Sequence, residues 1–552
     1  MDRGSDESIC PAEEFERLDA LGVLPPKCDV ATYVAAKSPA YGLVALWKEW
    51  LRLAPKKSRS RVARIHSGLA AAVADGAELT FKIPGRDRDV CARWLGDRVY
   101  WWPRGVIEGP RVGIVGSRLK RDSESRKPIL QALRLSMTAI DSQREQVVTS
   151  AGTSLCDYVA QCGLAFGTSV LRVSAPGDHV SSKSWLDQLV QTLDPASEYQ
   201  LLLSPEVSQS RSARSSNTSA AVVNSLNGLP LRDRALALMS SRLFVLTLRQ
   251  GGNWWKLLNL GFADQLWAAG SVRAVVGPGL CAEDVVSELQ DQGVVPWYLS
   301  SDADHKSAAD RDTRSECVAE DSSAALPVTD RAMAEEALIE ELIRSEATSA
   351  WLIHWTRAPR GEWAGESHSD YLNDAVLSDA SHPRTAFGTL QRIVSERVIR
   401  TTSGNTRVSA DVVCLSETPL VKLVAQRIFR QHRGRWDFEH YGIGVRRAAV
   451  CALGGRPVIY GDESVWQSLP QGEQPWFQLR QSRPAKTSID WTIESEWRLT
   501  SELSLDRLSA NDVFVFCVTA DEAEELRSVC EWRVVSVETL NARSQRSDDI
   551  AP

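Results

Sequence analysis

The chain of 552 residues is 43% hydrophobic and 24% charged, the balance of a folded protein with material for roughly three or four domains. Its formal net charge of −7 argues against a surface that binds polyanions along its whole length. Eleven cysteines without a Cys-x-x-Cys pair, a polar start and no long apolar run predict a cytoplasmic protein without disulfides, signal peptide or membrane span.

The first block, residues 1–105, is predicted to be mainly helical. Apolar residues recur at helical spacing in 41–53 and in 62–73. A basic run, residues 55–64, is interpreted as a solvated loop between those helices, with a nucleic-acid patch as the alternative. The aromatic side chains of 94–103 are expected to pack against a sheet.

The second block, residues 106–299, alternates apolar strands with helical stretches, and its strands end in glycine-bearing turns. The clearest strand is Arg111–Val115, which runs into Gly116-Ser117-Arg118. Similar turns follow at 150–153, 247–253 and 276–279. Parallel strands end at one edge of a sheet, where glycines let a ligand approach the backbone. The block therefore predicts an α/β fold with a doubly wound parallel sheet and a site for a phosphate-bearing ligand at that edge.

The ligand site is predicted from these turns and from the segment Leu231–Ala237. Nine residues make it up: Gly116, Ser117, Arg118, Gly152, Thr153, Arg232, Arg234, Gly251 and Gly252. We expect the backbone amides of 116–118 to hold the phosphate together with Arg232 or Arg234. The alternative is that each glycine only closes a tight turn.

The order of these motifs resembles the Rossmann-like domain of the DprA DNA-processing proteins and the wider SLOG superfamily of nucleotide-binding relatives. The resemblance covers Val106 to Leu299 and implies a nucleotide or nucleotide-derived ligand. Two departures concern the site. Ser150-Ala151-Gly152 stands where the family has a Ser-Gly-containing segment, and Trp254 and Trp255 place bulk where DprA keeps small residues. The fold therefore carries over better than the DNA activity.

Two polar segments interrupt the pattern. Residues 204–227 are interpreted as a loop that either covers a bound ligand with Arg211 and Arg214 or is merely solvated. Residues 300–330 are acidic and poor in large apolar side chains, which predicts a flexible linker. A helix is predicted next, over 332–345.

The third block, residues 331–544, is predicted to be an α+β domain whose strands carry ionisable residues in alternation. His354 and Thr356 share one face of the first strand. Glu496 and Arg498 share one face of the last strand. The flanking tryptophans, Trp355 and Trp497, then fall on the opposite faces, where they are expected to pack a core.

Four motifs of this block resemble, in their order, an uncharacterised bacterial domain family often linked to abortive infection. That family looks related to ADP-ribosyltransferases of the DarT kind. The motifs are Cys414–Glu417, Tyr441–Gly444, Arg456–Tyr460 and Trp491–Arg498. The resemblance implies a mixed sheet and NAD as the cofactor or substrate.

The chemistry of that class suggests roles for particular residues. Cleavage of the nicotinamide–ribose bond passes through an oxocarbenium-like centre, which the carboxylate of Glu496 would stabilise. His354 would bind the adenosine ribose, and Tyr441 would stack on the nicotinamide. Three further residues are expected to bind the cofactor, namely Arg498, Arg357 and Ser416, with an arginine on the pyrophosphate. We predict that His354, Tyr441 and Glu496 converge on one cleft.

The alternative for this block is structural. Glu494 and Glu496 would then pair with arginines of neighbouring strands, and His354 would be an ordinary core histidine. A metal site is not expected, because the histidines are dispersed and none stands at His-x-x-x-His spacing.

Taken together, the blocks predict a bacterial defence or stress protein. A nucleotide-binding domain would sense a phosphate-bearing ligand and control an ADP-ribosyltransferase or an NAD-cleaving glycosidase. Two alternatives stay open: a DprA-like protein that binds single-stranded DNA, and a non-catalytic interaction protein. A homo-oligomer without a membrane partner is expected.

Overall fold

A computed structural model describes most of the chain. The described residues are 9–26, 28–117, 119, 123–176, 182–191, 199–207, 226–298, 328–344, 350–359, 361–377, 383–402, 406–425, 427–430, 435–479 and 495–548. Residues discussed above that lie outside them include Arg118, Arg211, Arg214, Trp491 and Glu494. So do residues 208–225 of the expected loop and the expected linker up to residue 327.

The described residues form two compact units. The first unit holds those up to 298 together with 372–377, and the second holds 328–371 and those from 383 onward. None of the described helices is both long enough and apolar enough to span a bilayer.

The first unit begins with five helices, of which the first four share a core and the fifth packs into the core of the central sheet. They are α1 (Pro11–Ala20), α2 (Val30–Val34), α3 (Pro39–Leu53), α4 (Lys56–Ala74) and α5 (Arg88–Leu95). Leu43, Leu46, Ile65 and Leu69 are buried between α3 and α4 at helical spacing. The basic run was expected to be a loop, and this prediction is wrong.

The basic run forms the first turns of α4, directly after Pro55. Arg61 and Arg64 each pair with Asp187, at 3.5 and 3.2 Å, so part of its charge is balanced within the unit. The apolar residues of α4 start only at Val62, which is why the helical period did not show in the basic residues before it.

A nine-stranded sheet forms the centre of the first unit, in the order β1-β2-β6-β5-β4-β3-β7-β8-β9. The strands are β1 (Glu78–Thr80), β2 (Tyr100–Trp102), β3 (Arg111–Val115), β4 (Gln146–Ser150), β5 (Val170–Ser174), β6 (Gln200–Leu203), β7 (Arg242–Val245), β8 (Val272–Val276) and β9 (Val294–Tyr298). The seven strands numbered β3 to β9 all pair in parallel with one another. The strand β2 pairs antiparallel with both β1 and β6. The expected α/β fold with a parallel-rich sheet is confirmed.

The helices of this unit follow its parallel strands. They are α6 (Ser123–Thr138), α7 (Cys156–Ala165), α8 (Ser182–Gln191), α9 (Leu231–Met239), α10 (Asn253–Ala263) and α11 (Glu283–Gln290). The strands β3 and β4 are buried at every position, as strands of a parallel sheet covered on both faces are, and the buried positions include the polar Gln146, Thr149 and Ser150. Because β4 and β7 lie on opposite sides of β3, the strand order reverses there, and a crevice is expected at the carboxyl ends of β3 and β7.

The second unit is built on a seven-stranded sheet in the order β16-β19-β12-β10-β15-β21-β22. Its strands are β10 (Trp351–Trp355), β12 (Val413–Ser416), β15 (Gly442–Arg446), β16 (Arg456–Pro457), β19 (Glu496–Leu499), β21 (Val513–Cys517) and β22 (Arg533–Ser536). All its pairs are antiparallel except β21 with β22, so the sheet is mixed.

Helices cover both faces of this sheet. The helices of this part of the chain are α12 (Val328–Arg344), α13 (His368–Leu377), α14 (Ala386–Glu396), α15 (Leu420–Ala425), α16 (Arg447–Ala452), α17 (Glu463–Ser468), α18 (Ala520–Val529) and α19 (Val537–Asp548). From Leu372 onward α13 belongs to the first unit. One core holds Leu352, Ile443 and Val515. The other holds Trp351, Ile353 and Phe514, on the opposite side of the same strands.

Short strands complete the second unit. They are β11 (Val398–Ile399), β13 (Ile428–Arg430), β14 (Arg435–Asp437), β17 (Ile459–Gly461), β18 (Phe477–Leu479) and β20 (Leu503–Ser504). They pair as β11–β20, β13–β14 and β17–β18.

Candidate functional site

A cavity of about 640 Å³ opens in the second unit between β10, β12, β19 and helix α14, and we call it the C-terminal cavity. Its wall includes five residues that the sequence singled out: His354, Arg357, Ser416, Glu496 and Arg498. The volume falls within the range of small-molecule sites. The structure thus brings most of the predicted C-terminal site residues to one place.

The register of the strands shows on which face of the sheet each of these residues lies. Ser416 stands opposite Ile353 on one side and opposite Glu496 on the other. Directly opposed residues share a face, so Glu496 and Arg498 lie on the face of Ile353, and His354 lies on the other face. The cavity therefore takes residues from both faces of the sheet.

His354 is held by a backbone group of the neighbouring strand. Its Nδ1 lies 2.9 Å from the carbonyl oxygen of Cys414. Burial lowers the pKa of His354, the hydrogen bond to Cys414 opposes that shift, and nearby Arg357 adds to it. The imidazole is therefore neutral near pH 7. Since a carbonyl oxygen only accepts, Nδ1 carries the proton and Nε2 has a free lone pair.

Glu496 is fixed by the arginine two residues along its strand. The Nε of Arg498 donates to Oε1 of Glu496 at 2.9 Å, and its Nη2 donates to Oε2 at 3.2 Å. The Arg498 side chain is 1% exposed and that of Glu496 is 15% exposed. A two-pronged pair of this kind holds the carboxylate in one orientation at the cavity wall.

The expected role of Arg498 in binding a pyrophosphate is wrong. Besides Glu496, its guanidinium donates to the carbonyl oxygens of Pro475 and Phe477, at 2.9 and 3.0 Å, and to Oε1 of Gln478 at 2.8 Å. All five N–H groups of the side chain are then engaged. No donor is left for a ligand, so Arg498 acts as a positioning residue for Glu496.

Arg357 is the better placed cation for an anionic ligand. It lines the C-terminal cavity, and among the described residues it has no carboxylate within ion-pair distance. Its Nε is enclosed and has no hydrogen-bond partner there. Arg392, by contrast, also lines the cavity but is paired with Glu396 at 2.6 Å. An enclosed guanidinium without a counter-charge favours a bound anion.

Tyr441 does not join the other candidates. It is not part of the wall of the C-terminal cavity. Its hydroxyl donates to Oε1 of Glu522 at 2.8 Å, and its ring packs on Phe387 at 5.6 Å between centroids. Burial, with the hydrogen bond to Glu522, raises the pKa of Tyr441. The expected three-way convergence is therefore wrong for Tyr441, which packs at the start of α14 and α18.

Ser416 and several residues that sequence reasoning missed complete the wall. Ser416 is buried, and its Oγ accepts a hydrogen bond from the backbone N–H of Thr418 at 3.4 Å. Glu362, Arg392 and Gln478 also line the cavity. Arg392 and Glu396 form an i,i+4 pair on α14, which in a sequence looks like any exposed helix pair.

The predicted phosphate site of the first unit is less open than expected. Its turns do follow the carboxyl ends of neighbouring parallel strands β4, β3 and β7. However, the backbone N–H of Ser117 already donates to Oγ1 of Thr247 at 2.7 Å and lies 3.2 Å from its carbonyl oxygen. A Cβ at Gly116 would stand 2.9 Å from the same Oγ1. Gly116 thus makes room for Thr247.

The other glycines also serve the chain's own turns. Gly152 and Gly251 have positive φ, +70° and +69°, and a Cβ at Gly252 would stand 2.9 Å from the carbonyl oxygen of Arg249. Thr153 donates through Oγ1 to the carbonyl oxygen of Ser150 at 2.8 Å. These contacts agree with the alternative in which the glycines close tight turns.

The side chains of the two arginines of α9 contact different carbonyl oxygens. Nη1 of Arg232 lies 3.4 Å from the carbonyl oxygens of Ala151 and Gly152, so Arg232 sits at the turn after β4. Nη1 of Arg234 donates instead to the carbonyl oxygen of Trp94 at 3.0 Å. Residues two apart on a helix leave its axis in different directions, which explains why the two arginines reach different carbonyl groups.

Among known proteins, only solved structures show a similarity to this chain, and that similarity is remote. No family model and no curated protein matches the chain. Its structure is similar to that of DNA processing protein A (DprA) from Streptococcus pneumoniae, at 14% identity and a TM-score of 0.25, over 54% of this chain and 90% of that one. It is also similar to DprA from Helicobacter pylori, described for its single-stranded DNA binding mode, at 14% identity and a TM-score of 0.24, over 43% and 97%.

Proposed function

We propose that the second unit binds a dinucleotide of the NAD class in the C-terminal cavity and cleaves its nicotinamide–ribose bond with Glu496. The observation that carries the proposal is the fixed carboxylate of Glu496, held by Arg498 at the wall of a cavity of about 640 Å³. A pre-oriented carboxylate is what a developing positive charge at a ribose carbon requires.

The chemistry balances without a further reactant besides water or an acceptor hydroxyl. The C–N bond to nicotinamide breaks, its electron pair goes to the ring nitrogen, and neutral nicotinamide leaves. The carboxylate of Glu496 stabilises the resulting oxocarbenium-like centre. It then accepts the proton of the oxygen nucleophile as the new C–O bond forms.

Two further residues supply binding. The free lone pair on Nε2 of neutral His354 accepts a hydrogen bond from a ribose hydroxyl. The guanidinium of Arg357 donates to the pyrophosphate, which gives its enclosed Nε a partner. Both groups then act on parts of the ligand that do not react, so they contribute to affinity more than to the rate.

The test compares NAD binding and nicotinamide release for the full-length protein. We expect Glu496→Gln to lower the rate of nicotinamide release by at least about 100-fold while NAD affinity changes little, because the amide keeps the shape but not the charge. Glu524→Gln is the matched control, since Glu524 lies in the same unit and is 79% exposed. We expect it to leave both measurements unchanged.

Two results would count against the proposal in different ways. Absence of NAD binding up to about 1 mM would remove NAD as the ligand of the cavity. Binding without release of nicotinamide, with and without candidate nucleotide effectors, would leave a binding function only.

Control of this unit by a ligand of the first unit and a role in defence remain predictions. So does the alternative of single-stranded DNA binding. Titration with an oligonucleotide at several salt concentrations tests that alternative, because phosphate contacts make affinity fall steeply with salt.

A further inference from the structure

A second cavity, of about 680 Å³, lies within the first unit, and we call it the N-terminal cavity. It opens where β5 and β6 end and where α9 begins. Three arginines line it, Arg98, Arg232 and Arg234, and the acidic residue of its wall is Glu206. The formal charge of the described part of this wall is therefore +2, in a chain whose net charge is −7.

Two positive charges of the N-terminal cavity, those of Arg98 and Arg234, are poorly balanced, whereas Arg232 lies 3.9 Å from the carboxylate of Asp233. Glu206 stands 3.8 Å from Arg98, and its side chain is 65% exposed, whereas that of Arg98 is 10% exposed. Burial lowers the pKa of Arg234, and the neighbouring charge of Arg98 lowers it further. Two enclosed guanidinium groups thus repel each other, with one solvated carboxylate to offset them.

Arg234 also has unused donors. One nitrogen, Nη1, donates to the carbonyl oxygen of Trp94. Its Nε is enclosed and has no hydrogen-bond partner among the described residues. An enclosed donor of this kind is destabilising unless a ligand satisfies it. The contacts of Arg98 are different, because its Nε and Nη1 hold the carbonyl oxygens of Leu95 and Ser204 at 2.6 and 2.7 Å and so fix its position.

The first turn of α9 adds to the same wall. Pro230, Leu231 and Arg232 line the cavity, and Pro230 is the N-cap, which provides no side-chain cap. The N-terminus of a helix carries partial positive charge and N–H donors, which favour a phosphate group. The remaining wall is apolar and comes largely from Ala175, Pro176, Pro205 and Leu229.

We propose that the N-terminal cavity binds a phosphorylated small molecule, with its phosphate on Arg98, Arg234 and the start of α9 and its less polar part on the proline-rich wall. This site differs from the turn after β3, where Thr247 occupies the amide of Ser117. It also does not depend on the activity proposed for the second unit. The volume fits one small ligand rather than a long backbone.

The experiment measures binding of inorganic pyrophosphate and of ADP to the full-length protein by calorimetry. We expect both to bind, ADP more tightly because it also covers apolar wall. Arg234→Gln should weaken both by at least about tenfold, since a charge-assisted hydrogen bond is lost. Glu206→Gln should act in the opposite direction and tighten binding about twofold to threefold, since it removes the opposing charge.

Arg273→Gln is the matched control. It removes the same charge from the same unit, at the one exposed position of β8, a strand five places away from β6 in the sheet. We expect no change in affinity. Thermal unfolding of each variant shows whether it is folded. If Arg234→Gln does not fold, Glu206→Gln still tests the proposal, because Glu206 is largely exposed and its replacement should not affect folding.

Three results would overturn the proposal. The first is no saturable binding of either probe up to about 10 mM. The second is binding that Arg234→Gln and Glu206→Gln leave unchanged. The third combines two observations: neither probe displaces the other, and a single-stranded oligonucleotide binds in a way that depends on Arg234. This result would assign the surface to nucleic acid.

Discussion

Replacement of Arg498 by methionine should strongly destabilise the second unit. The side chain is 1% exposed and satisfies five acceptors, two of them on Glu496. Arg498→Met keeps much of the volume but leaves the carboxylate of Glu496 and two buried carbonyl oxygens without their donors. Breaking one side of a buried ion pair reduces the free energy of unfolding by about 3–5 kcal/mol. We expect a loss of that size.

Urea unfolding followed by tryptophan fluorescence measures this loss. Trp476 donates to the carbonyl oxygen of Arg498, and Trp497 is its chain neighbour, so two of the 19 tryptophans that give the signal lie in this region. Arg507→Met is the control, because Arg507 is exposed and should change stability by less than about 0.5 kcal/mol. The double variant Glu496→Gln with Arg498→Met should be more stable than Arg498→Met alone, since no unpaired charge remains.

A loss below about 1 kcal/mol for Arg498→Met would refute the reasoning. It would mean that water or other groups satisfy Glu496, so that the carboxylate is not pre-oriented by Arg498. A double variant that is no more stable than the single one would contradict the unpaired-charge explanation and leave only the lost carbonyl contacts.

The remaining predictions concern acid stability and packing in the second unit. Burial lowers the pKa of His354 in the folded state, so the unfolded state takes up its proton first as pH falls. Wild-type protein should therefore lose stability below about pH 6.5, and His354→Gln should lose less between pH 7 and 5 in thermal unfolding. An equal loss would show that other groups dominate. A Cβ at Gly444 would stand 2.0 Å from Cε1 of Phe514, so Gly444→Ala should reduce the free energy of unfolding by about 1–3 kcal/mol. Gly454→Ala is the comparison for this variant. A Cβ at Gly454 would contact no other atom, but φ is +90°, so its loss of stability measures backbone strain alone.

Much of the fold could be predicted from the sequence, because buried parallel strands appear as continuous apolar runs. The stretch 112–115 is such a run and lies in β3, whereas β4 has only two apolar residues, Val147 and Val148, ahead of its glycine-bearing turn. The strands β1 and β2 were not predicted. Each has three residues, and their place in the sheet depends on pairing with one another and with β6, about 100 residues further along the chain.

The candidate site could be predicted only where local periodicity decides it. Alternation placed Glu496 and Arg498 on one face, as the structure has them. It could not show that Arg498 would be fully engaged, because its other acceptors come from 475–478. Tyr441 precedes its strand, so alternation did not fix its direction. The different hydrogen-bond partners of Arg232 and Arg234 were open to prediction from helix geometry alone, although both residues line the N-terminal cavity.

The antiparallel strands at one side of the nine-stranded sheet also bear on aggregation. A parallel sheet that ended at β6 would offer a row of unpaired backbone N–H and C=O groups to any other chain. Here β2 pairs along β6, and the outermost strand β1 has three residues, too few to recruit a partner strand firmly. At the other end, β9 carries Pro296, which has no N–H to donate. Both borders of the sheet thus resist edge-to-edge association, and a chain shortened to begin after Trp102 would lose that protection at β6.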